Sequence, residues 1–532
     1  MQPHLPSVAT SASKSLSVDS LALVATSNFA ARTIRPAHWH PFSPFVRRWV
    51  TRWSFRALFF AAAGVGGHTL ASPAAIAAET ERRPNVILIV SDNQAWGDLG
   101  CFGSKEVLSP HLDRLAAEGV RGLSFYVTSG ECTPSRASIM TGRYPQRNGM
   151  TTSIWNEAAS MLGYRYTPHE YSATPEMTLG LDLREVTLGQ MMKGAGYTTG
   201  AIGKWDTGRA WRFRPLQRGF DFFYGFLNTG TDYWTGERYG ISGTFRNNEL
   251  IKPEGFSEEL ETKEATGFIR QNRDRPFFLY LAYHAPAGNA SLDTKSRRVP
   301  RKYLDRYPHR KRDISDKEKK LSPVDNRTEY IATISCMDDG VGEIMATLKE
   351  LKLDANTLVI FFPDNGWSKP GGDPGPFTND LGKQVNRVGE AGVRTSFIAR
   401  WPGVLPAGAD SSEFISSLDI FPTLAAVAKA PPNPNLILDG FDILPVLQGK
   451  MRSPRTEMFW HTLMDDKAAR VGPYKWAETG FYRGLFDLNR DPGEKNDLSS
   501  SHPEILAQLK SRWENWKRKM EEAEVREPFR DH

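Results

Sequence analysis

Cysteine is scarce in this chain: Cys101, Cys132 and Cys336 are the three cysteines among 532 residues. Three cysteines exclude the disulfide framework that holds small secreted domains together. One bridge between Cys101 and Cys336 is conceivable, but each lies in an apolar segment, which favours two free, buried thiols. The cysteine content therefore leaves the cellular compartment open.

An excess of charge of one sign is also lacking. The formal net charge is +6, and the basic residues form no continuous stripe with interleaved aromatic residues. Nucleic-acid-binding proteins are expected to carry such a stripe, so we expect no nucleic-acid partner. Because 40% of the residues are hydrophobic, the chain can bury the core of a large enzyme.

The apolar run at residues 57–65 is too short to span a bilayer. It follows several arginines and precedes small residues at 75–78, a composition typical of an export signal. We therefore predict a disordered or untranslated leader at 1–45, an export signal peptide at 46–80, and a periplasmic or secreted protein without a stable membrane span. A later translation start, at Val50, would explain the distance of this signal from Met1; a buried apolar helix is the alternative interpretation.

Apolar runs of strand length alternate with helical patterns after residue 83. Unbroken apolar runs are typical of strands that are covered on both faces, as in parallel sheets. We predict strands at 86–90, 197–203, 277–283 and 357–363, and helices at 109–119, 185–194, 258–272 and 328–351. This order predicts an α/β fold whose central mixed, largely parallel sheet is flanked by helices. Shorter strand signals and a helix at 503–524 predict a small C-terminal α+β subdomain over 426–532.

Charged and amide side chains follow four of these strands. They are Asp92 and Asn93, Lys204 and Asp206, His284, and Asp364 and Asn365. Ligands of open parallel sheets bind beyond the carboxyl ends of the strands, so these side chains are expected to share one active site. Oxygen ligands favour Ca²⁺ or Mg²⁺ over zinc, and a crowded set of them suits Ca²⁺ better. For a single Asp-Asn pair, capping of a turn would be the better interpretation; two pairs favour a metal site.

The run Cys132-Thr133-Pro134-Ser135-Arg136 has the features of a helix start, with proline early and a glycine at 142 near its end. This places Cys132 at the positive end of a helix, which suits a nucleophile and an anionic substrate. An activated thiol is one interpretation, and an ordinary buried cysteine is the other.

This run resembles the C-x-P-S-R signature of the formylglycine-dependent sulfatases, which belong to the alkaline phosphatase superfamily. Further segments resemble motifs of that family in the family's order: 84–100, Gly203-Lys204-Trp205, His284-Ala285-Pro286, 382–403 and 485–494. The resemblance covers about residues 83–525. It implies an alkaline-phosphatase-like fold with a catalytic domain at 83–425 and the C-terminal subdomain after it.

The resemblance also implies site residues and partners. Cys132 would be oxidised to formylglycine by a maturation enzyme, and its hydrate would attack the sulfur of a sulfate ester. Arg136 would stabilise residue 132, and sulfate would be bound by Lys204, His284 and Lys383. Calcium, or less readily magnesium, would be held by an oxygen of residue 132 and by Asp92, Asn93, Asp364 and Asn365.

Two predicted site positions depart from the family pattern, and a third departure follows the H-A-P motif. The family's first metal pair is usually Asp-Asp, whereas position 93 is Asn, and its G-K-W motif is usually followed by His, whereas position 206 is Asp. A carboxylate at position 206 could serve as the base that the histidine supplies in the family, or it could equally repel the sulfate. Our hypothesis is that the two departures offset each other in charge. The family's frequent second histidine after H-A-P is replaced around Ala287-Gly288.

The expected substrate is a sulfate ester, either a sulfated carbohydrate or an aryl sulfate. Aromatic residues at 205–239 and basic residues at 295–320 would suit a sulfated glycan, but core packing is the better interpretation for most of the aromatic residues and a solvated surface is the default for the basic ones. Two alternatives stay open. The first is a phosphoester or phosphonate hydrolase of the same superfamily, and the second is a catalytically silenced protein that binds sulfated ligands.

Overall fold

The computed structural model describes residues 83–154, 166–288, 299–308, 326–366, 371–377, 387–430, 433–480 and 482–523. The predicted leader (1–45), the predicted export signal (46–80) and Lys383 lie outside the described residues. None of the helices within the described ranges combines the length and the apolar composition that a membrane crossing requires.

The described residues form a central sheet of eleven strands, with the order β12-β2-β11-β10-β1-β9-β3-β4-β7-β8 and with β13 also pairing with β2. A separate ribbon consists of β5 and β6. The strands up to residue 416 are β1 (Asn85–Ser91), β2 (Val120–Tyr126), β3 (Thr198–Lys204), β4 (Phe222–Phe226), β5 (Glu237–Arg238), β6 (Ile241–Ser242), β7 (Thr244–Arg246), β8 (Glu249–Leu250), β9 (Phe277–Ala282), β10 (Thr357–Pro363), β11 (Arg394–Arg400), β12 (Ala409–Ser411) and β13 (Ile415–Ser416).

The centre of the sheet is parallel, as the sequence predicts. Strands β10, β1, β9, β3 and β4 are parallel neighbours, whereas β11 and β7 pair antiparallel with the two ends of this set. In the register, Ser91 pairs with Pro363, and Ala282 pairs with both Val90 and Gly203. The four strands that precede the predicted site residues are therefore adjacent, and their carboxyl ends lie level with one another.

Helices cover both faces of the sheet. They are α1 (Pro110–Ala117), α2 (Cys132–Thr141), α3 (Pro145–Asn148), α4 (Pro168–Ser172), α5 (Pro175–Thr178), α6 (Leu188–Gly194), α7 (Ser257–Gln271), α8 (Arg301–Leu304), α9 (Asn326–Glu350), α10 (Glu390–Val393), α11 (Ile420–Val427), α12 (Leu444–Leu447) and α13 (Pro503–Ala523). One core packs alternate strand residues, such as Leu88, against α2, α6 and α11. The other packs the intervening residues, such as Ile87, against α1, α7 and α9. The predicted helices are thus confirmed to within a few residues.

The C-terminal part has a sheet of its own. Strands β14 (Glu457–His461), β15 (Lys467–Val471), β16 (Tyr474–Glu478) and β17 (Arg483–Asp487) are antiparallel in chain order, and α13 packs Trp513 and Trp516 into the core beside them. Trp460 on β14 donates its indole N–H to the carbonyl oxygen of Val127 at 2.9 Å, just beyond β2. The α+β character predicted for this region is confirmed, while the boundary after residue 425 stays a prediction.

All three cysteines are free thiols. Cys336 is buried and Cys101 is half-buried, so the Cys101–Cys336 bridge that the sequence allowed is not formed.

Candidate functional site

The carboxyl ends of β1 and β10 bring two aspartates together. The backbone N–H of Asp364 donates to Ser91 O at 2.9 Å, which continues the pairing of the two strands by one residue. The backbone N–H of Asp92 donates to Ala285 O, also at 2.9 Å, and so ties the end of β1 to the segment after β9. Both carboxylates are fully buried.

Asn93 and Asp206 both have left-handed backbone conformations, with φ of 59° and 57°. Among residues with a Cβ atom, asparagine and aspartate adopt this region most readily. The turn after β1 points the Asn93 backbone N–H at Asp364 Oδ1, 3.1 Å away. These are also the two predicted site positions at which the chain departs from the family pattern.

Helix α2 begins at Cys132 and delivers that side chain to the aspartates. Cys132 Sγ lies 3.1 Å from Asp92 Oδ1 and 3.8 Å from Asn93 Oδ1. Every residue of α2 after Cys132 is buried, and the helix ends at Gly142 in a left-handed conformation. Cys132 itself is half-buried and is therefore the most accessible residue of α2.

Arg136 lies one turn along α2 and is completely buried. Its Nε donates to Asp364 Oδ2 at 2.7 Å, and its guanidinium also lies 3.8 Å from Asp92 Oδ1. The Nη1 group donates to the carbonyl oxygen of Lys204 at 3.1 Å and to the hydroxyl of Tyr280 at 3.3 Å. A single side chain therefore connects α2 to the ends of β1, β3 and β10.

Lys204 and Asp206 reach the same cluster from the end of β3. Lys204 Nζ donates to Asp92 Oδ2 at 2.9 Å and lies 3.7 Å from Asp206 Oδ2. Asp206 Oδ1 accepts a hydrogen bond from Thr133 Oγ1 at 3.0 Å, whereas its other oxygen is buried without a hydrogen-bond partner. Asp206 Oδ1 is therefore occupied by Thr133, the residue after Cys132, while Oδ2 stays available to accept a hydrogen bond or a proton.

His284 completes the cluster after β9. Its Nε2 lies 3.8 Å from Asp92 Oδ2. The imidazole stacks on Tyr233 with the ring centres 4.6 Å apart, and meets Phe226 edge-on at 5.1 Å. Tyr233 is fixed in turn, because its hydroxyl donates to the carbonyl oxygen of Ala287 at 2.8 Å.

Burial and neighbouring charges shift the pKa values in this cluster in opposite directions. Burial disfavours ionisation of Asp92, but Lys204 and Arg136 outweigh it and hold its pKa below the ordinary range. Burial raises the pKa of Asp206 to about 6, even though Lys204 and Arg136 oppose the shift. Burial and the nearby aspartates raise the pKa of the Cys132 thiol well above its usual value. In the metal-free structure these shifts disfavour the thiolate form of Cys132.

The donor set at the ends of β1 and β10 fits a calcium ion. Ligand atoms of Asp92, Cys132 and Asp364 all lie within 4.8 Å of one another. Asn365 Oδ1 is buried without a hydrogen-bond partner, while its Nδ2 donates to Asn93 Oδ1 at 2.6 Å. A buried amide oxygen without a donor is costly unless a ligand meets it. Carboxylate and amide oxygens are ligands that suit Ca²⁺.

All the predicted site residues that the structure describes meet in this cluster; Lys383 lies outside the described residues. Thr133 and Tyr280 were not predicted as site residues, and Tyr233 was predicted only as one of the aromatic residues at 205–239. Thr133 lies inside the C-T-P-S-R run and could have been noticed there. Tyr280 lies in the middle of an apolar strand, and nothing in the local sequence distinguishes it from a core residue.

Comparisons with known proteins agree with this geometry. The fold is that of the alkaline-phosphatase-like hydrolases, with the site at the carboxyl edge of the sheet. The family model named Sulfatase matches residues 84–430, and the chain belongs to the sulfatase family. It is a sulfuric ester hydrolase by that membership.

Individual relatives match over most of their length. The chain is 33% identical to N-acetylgalactosamine-6-sulfatase of Sus scrofa, covering 86% of this chain and 88% of the relative. It is 31% identical to arylsulfatase A of Homo sapiens, covering 81% and 87% respectively. Among solved structures, Ps i-CgsB in complex with k-i-k-neocarrahexaose superposes with a TM-score of 0.70 at 28% identity, covering 82% of this chain and 93% of that chain.

Proposed function

We propose that this protein hydrolyses the sulfate ester of a carbohydrate, using a formylglycine formed from Cys132 and a calcium ion held at the ends of β1 and β10. The observation that carries the proposal is the convergence of six polar groups on the space around Cys132. They are Asp92, Arg136, Lys204, Asp206, His284 and Asp364. Aryl sulfates are the simplest test substrates for the same chemistry.

Calcium would be held by Asp92, Asn93, Asp364 and Asn365, together with an oxygen on residue 132. When bound, it would supply positive charge beside the reacting centre. The unsatisfied oxygen of Asn365 supports this ligand set. Asn93 removes one negative charge relative to an Asp-Asp pair, so we expect weaker calcium binding than two aspartates would give.

The aldehyde at position 132 would supply a hydrated nucleophile that a neutral thiol cannot replace. Its formation requires a maturation enzyme as a partner, and export of the chain would follow from the predicted signal at 46–80. Arg136 keeps residue 132 in place through its bonds to the ends of three strands. A role in positioning residue 132 explains why Arg136 carries a positive charge although it has no contact with solvent.

Lys204 and His284 provide the groups that would bind and neutralise the sulfate. Both side chains are buried beside Asp92, so they would present hydrogen-bond donors, and Lys204 a positive charge, to a sulfate bound here. His284 is proposed to donate a proton to the leaving alcohol oxygen. Asp206, with a pKa of about 6, is proposed to accept a proton beside residue 132 at neutral pH. Lys383 remains a predicted third sulfate-binding group.

A carbohydrate substrate is proposed from the relatives. One relative is named N-acetylgalactosamine-6-sulfatase, and one similar structure contains k-i-k-neocarrahexaose. The sugar that carries the sulfate and the position of the ester are left to experiment.

A panel of matched esters tests the proposal. The protein is produced with a formylglycine-generating enzyme and assayed, with calcium, on 4-nitrophenyl sulfate, 4-nitrophenyl phosphate and sulfated mono- and oligosaccharides. We expect turnover of sulfate esters that exceeds that of the phosphate ester, and loss of turnover in Cys132→Ala. Faster hydrolysis of the phosphate ester would favour the phosphoester alternative, and tight binding without turnover would favour the silenced binding protein.

A further inference from the structure

A fully buried lysine connects the C-terminal sheet to the catalytic part of the chain. Lys475 Nζ, on β16, lies 2.9 Å from Glu390 Oε1 and 3.0 Å from Glu494 Oε1, and all three side chains are completely buried. Glu494 Oε2 also accepts the backbone N–H of Glu390 at 2.8 Å. Two segments that resemble family motifs, 382–403 and 485–494, therefore each contribute a glutamate to this lysine.

Glu390 opens helix α10 and is held from several sides. The hydroxyl of Tyr126 donates to Glu390 Oε2 at 2.6 Å, and Arg394 Nη1 donates to the same oxygen at 3.3 Å. Burial disfavours the charge, but Lys475 and Arg394 outweigh it and lower the pKa of Glu390 to about 2. Glu390 is thus an anion at neutral pH, and its position depends on the buried ammonium of Lys475.

The helix that Glu390 opens lies against the predicted metal ligands. The backbone N–H of Gly366, the residue after Asn365, donates to Gly392 O at 2.9 Å. A Cβ atom on Gly366 would lie 2.2 Å from the carbonyl oxygen of Ala391, so the two backbones touch. Any displacement of α10 therefore moves the chain that carries Asn365.

The residues just before α10 lie against the chain that leads into α2. The backbone N–H of Gly130 donates to Arg387 O at 3.2 Å, and a Cβ atom on Gly130 would lie 2.6 Å from that oxygen. Arg387 also pairs with Glu131 at 2.6 Å, immediately before Cys132. Segment 387–393 thus packs against Gly366, which follows the predicted metal ligands, and against Gly130, which lies just before the predicted nucleophile.

We propose that Lys475 is a positioning residue of the site: by fixing Glu390, it holds segment 387–393 against Gly366 and Gly130 and so keeps Asp364 and Asn365 in place for a cation. The identity of the cation as calcium rests on the proposed function. The positioning of segment 364–366 by Lys475 rests on the backbone contacts alone. The C-terminal part then supports the site through one buried ion triad.

A second buried ion pair provides a matched control. Arg455 pairs with Asp419 and also joins the region after 425 to the region before it. Its side chain is 6% exposed, compared with 0% for Lys475. Asp419 accepts the backbone N–H groups of Ser416 and Phe441 rather than any group of segment 364–366. Replacing Arg455 therefore removes a buried cation of similar kind without loosening segment 387–393.

The test compares Lys475→Met with Arg455→Met in the full-length protein, at a temperature where circular dichroism shows both to be folded. Hydrogen–deuterium exchange is measured on peptides that cover 364–366 in the metal-free protein, and Ca²⁺ binding is measured by calorimetry. We expect Lys475→Met to speed exchange at 364–366 at least about tenfold and to raise the Kd for Ca²⁺ by about as much. Arg455→Met is expected to change either quantity by less than about twofold.

Equal effects of the two variants, or unchanged exchange at 364–366 in Lys475→Met, would overturn the inference. If the wild-type protein bound no Ca²⁺, the proposed cofactor would be wrong, and the exchange measurement would still decide the positioning role. If Lys475→Met failed to fold, Glu494→Gln would replace it, since glutamine keeps an acceptor for the Glu390 N–H while weakening the pairing with Lys475. That variant should speed exchange in the same direction, and unchanged exchange would again refute the proposal.

Discussion

Replacing Asp206 by asparagine should stabilise the protein at neutral pH while impairing catalysis. The change keeps an acceptor for Thr133 Oγ1 and removes the buried charge. Burial raises the pKa of Asp206 from 3.8 to about 6, a shift of about two units. At about 1.4 kcal/mol per unit, ionising Asp206 costs the folded state about 3 kcal/mol more than the unfolded state.

The sign of the effect follows from the raised pKa. Asp206 contributes stability below about pH 4, where it is protonated in both states, and that contribution is lost as the pH rises through about 6. Asparagine does not titrate. The free energy of unfolding of Asp206→Asn, relative to that of the wild type, should therefore increase by about 3 kcal/mol between about pH 4 and pH 7.

Denaturant unfolding of the metal-free wild type and of Asp206→Asn, from about pH 4 to pH 7, measures the difference in their free energies of unfolding. Turnover of an aryl sulfate is followed in parallel on the calcium-loaded, matured proteins. We expect the wild-type kcat to rise with pH as Asp206 ionises, and Asp206→Asn to lose about 100-fold or more in kcat. The control is Asp338→Asn on α9, where burial raises the pKa to about 7 and the carboxylate accepts the N–H groups of His111 and Leu112.

Asp338→Asn should reproduce the pH dependence of the stability difference and retain turnover. A pH-independent cost is added, because asparagine has one acceptor oxygen for the two N–H groups. A flat or reversed stability difference for Asp206→Asn would refute the argument about its burial. A pH-dependent gain in stability with full turnover would refute its role as a base.

Three further predictions concern the same cluster. Arg136→Met leaves Asp364 buried without its cation and should cost about 3–5 kcal/mol in the free energy of unfolding, measured with denaturant; a cost below about 1 kcal/mol would contradict the buried pairing. If the departures at 93 and 206 offset each other, the double variant Asn93→Asp with Asp206→His should exceed both single variants in kcat/KM, and a double variant no better than either one would end that hypothesis. Removal of calcium with EDTA should lower the Tm and abolish turnover, and Ca²⁺ should restore both better than Mg²⁺. Asn365→Ala should raise the Ca²⁺ concentration needed for half-maximal turnover. An unchanged Ca²⁺ concentration would exclude Asn365 as a ligand.

Much of the site could be predicted because it lies at strand ends. Apolar runs of strand length are a local signal, and in a parallel sheet the residue that follows each run must lie at one edge. The amino-acid sequence alone therefore suffices to group four side chains at that edge: Asp92, Asp364, Lys204 and His284. The structure adds that their strands are adjacent and level in register.

The rest depends on contacts between distant parts of the chain. Nothing local indicates that β11 and β2 would extend the sheet antiparallel, or that Tyr280 would contact Arg136. The Lys475–Glu390 pair joins residues 85 positions apart, and nothing in the local sequence indicates that the two side chains would meet. The left-handed backbone at Asp206 is likewise not signalled by a local turn motif, although aspartate adopts this region more readily than most residues.

The chemical state of residue 132 tests the central claim most directly. Peptide mass spectrometry would be applied to the protein purified with full turnover of a sulfate ester, alongside protein produced without a maturation enzyme. We predict an aldehyde or its hydrate at position 132 in the active sample and an unmodified thiol, with no turnover, in the other. An unmodified Cys132 thiol in protein that turns over sulfate esters at the full rate would contradict the account.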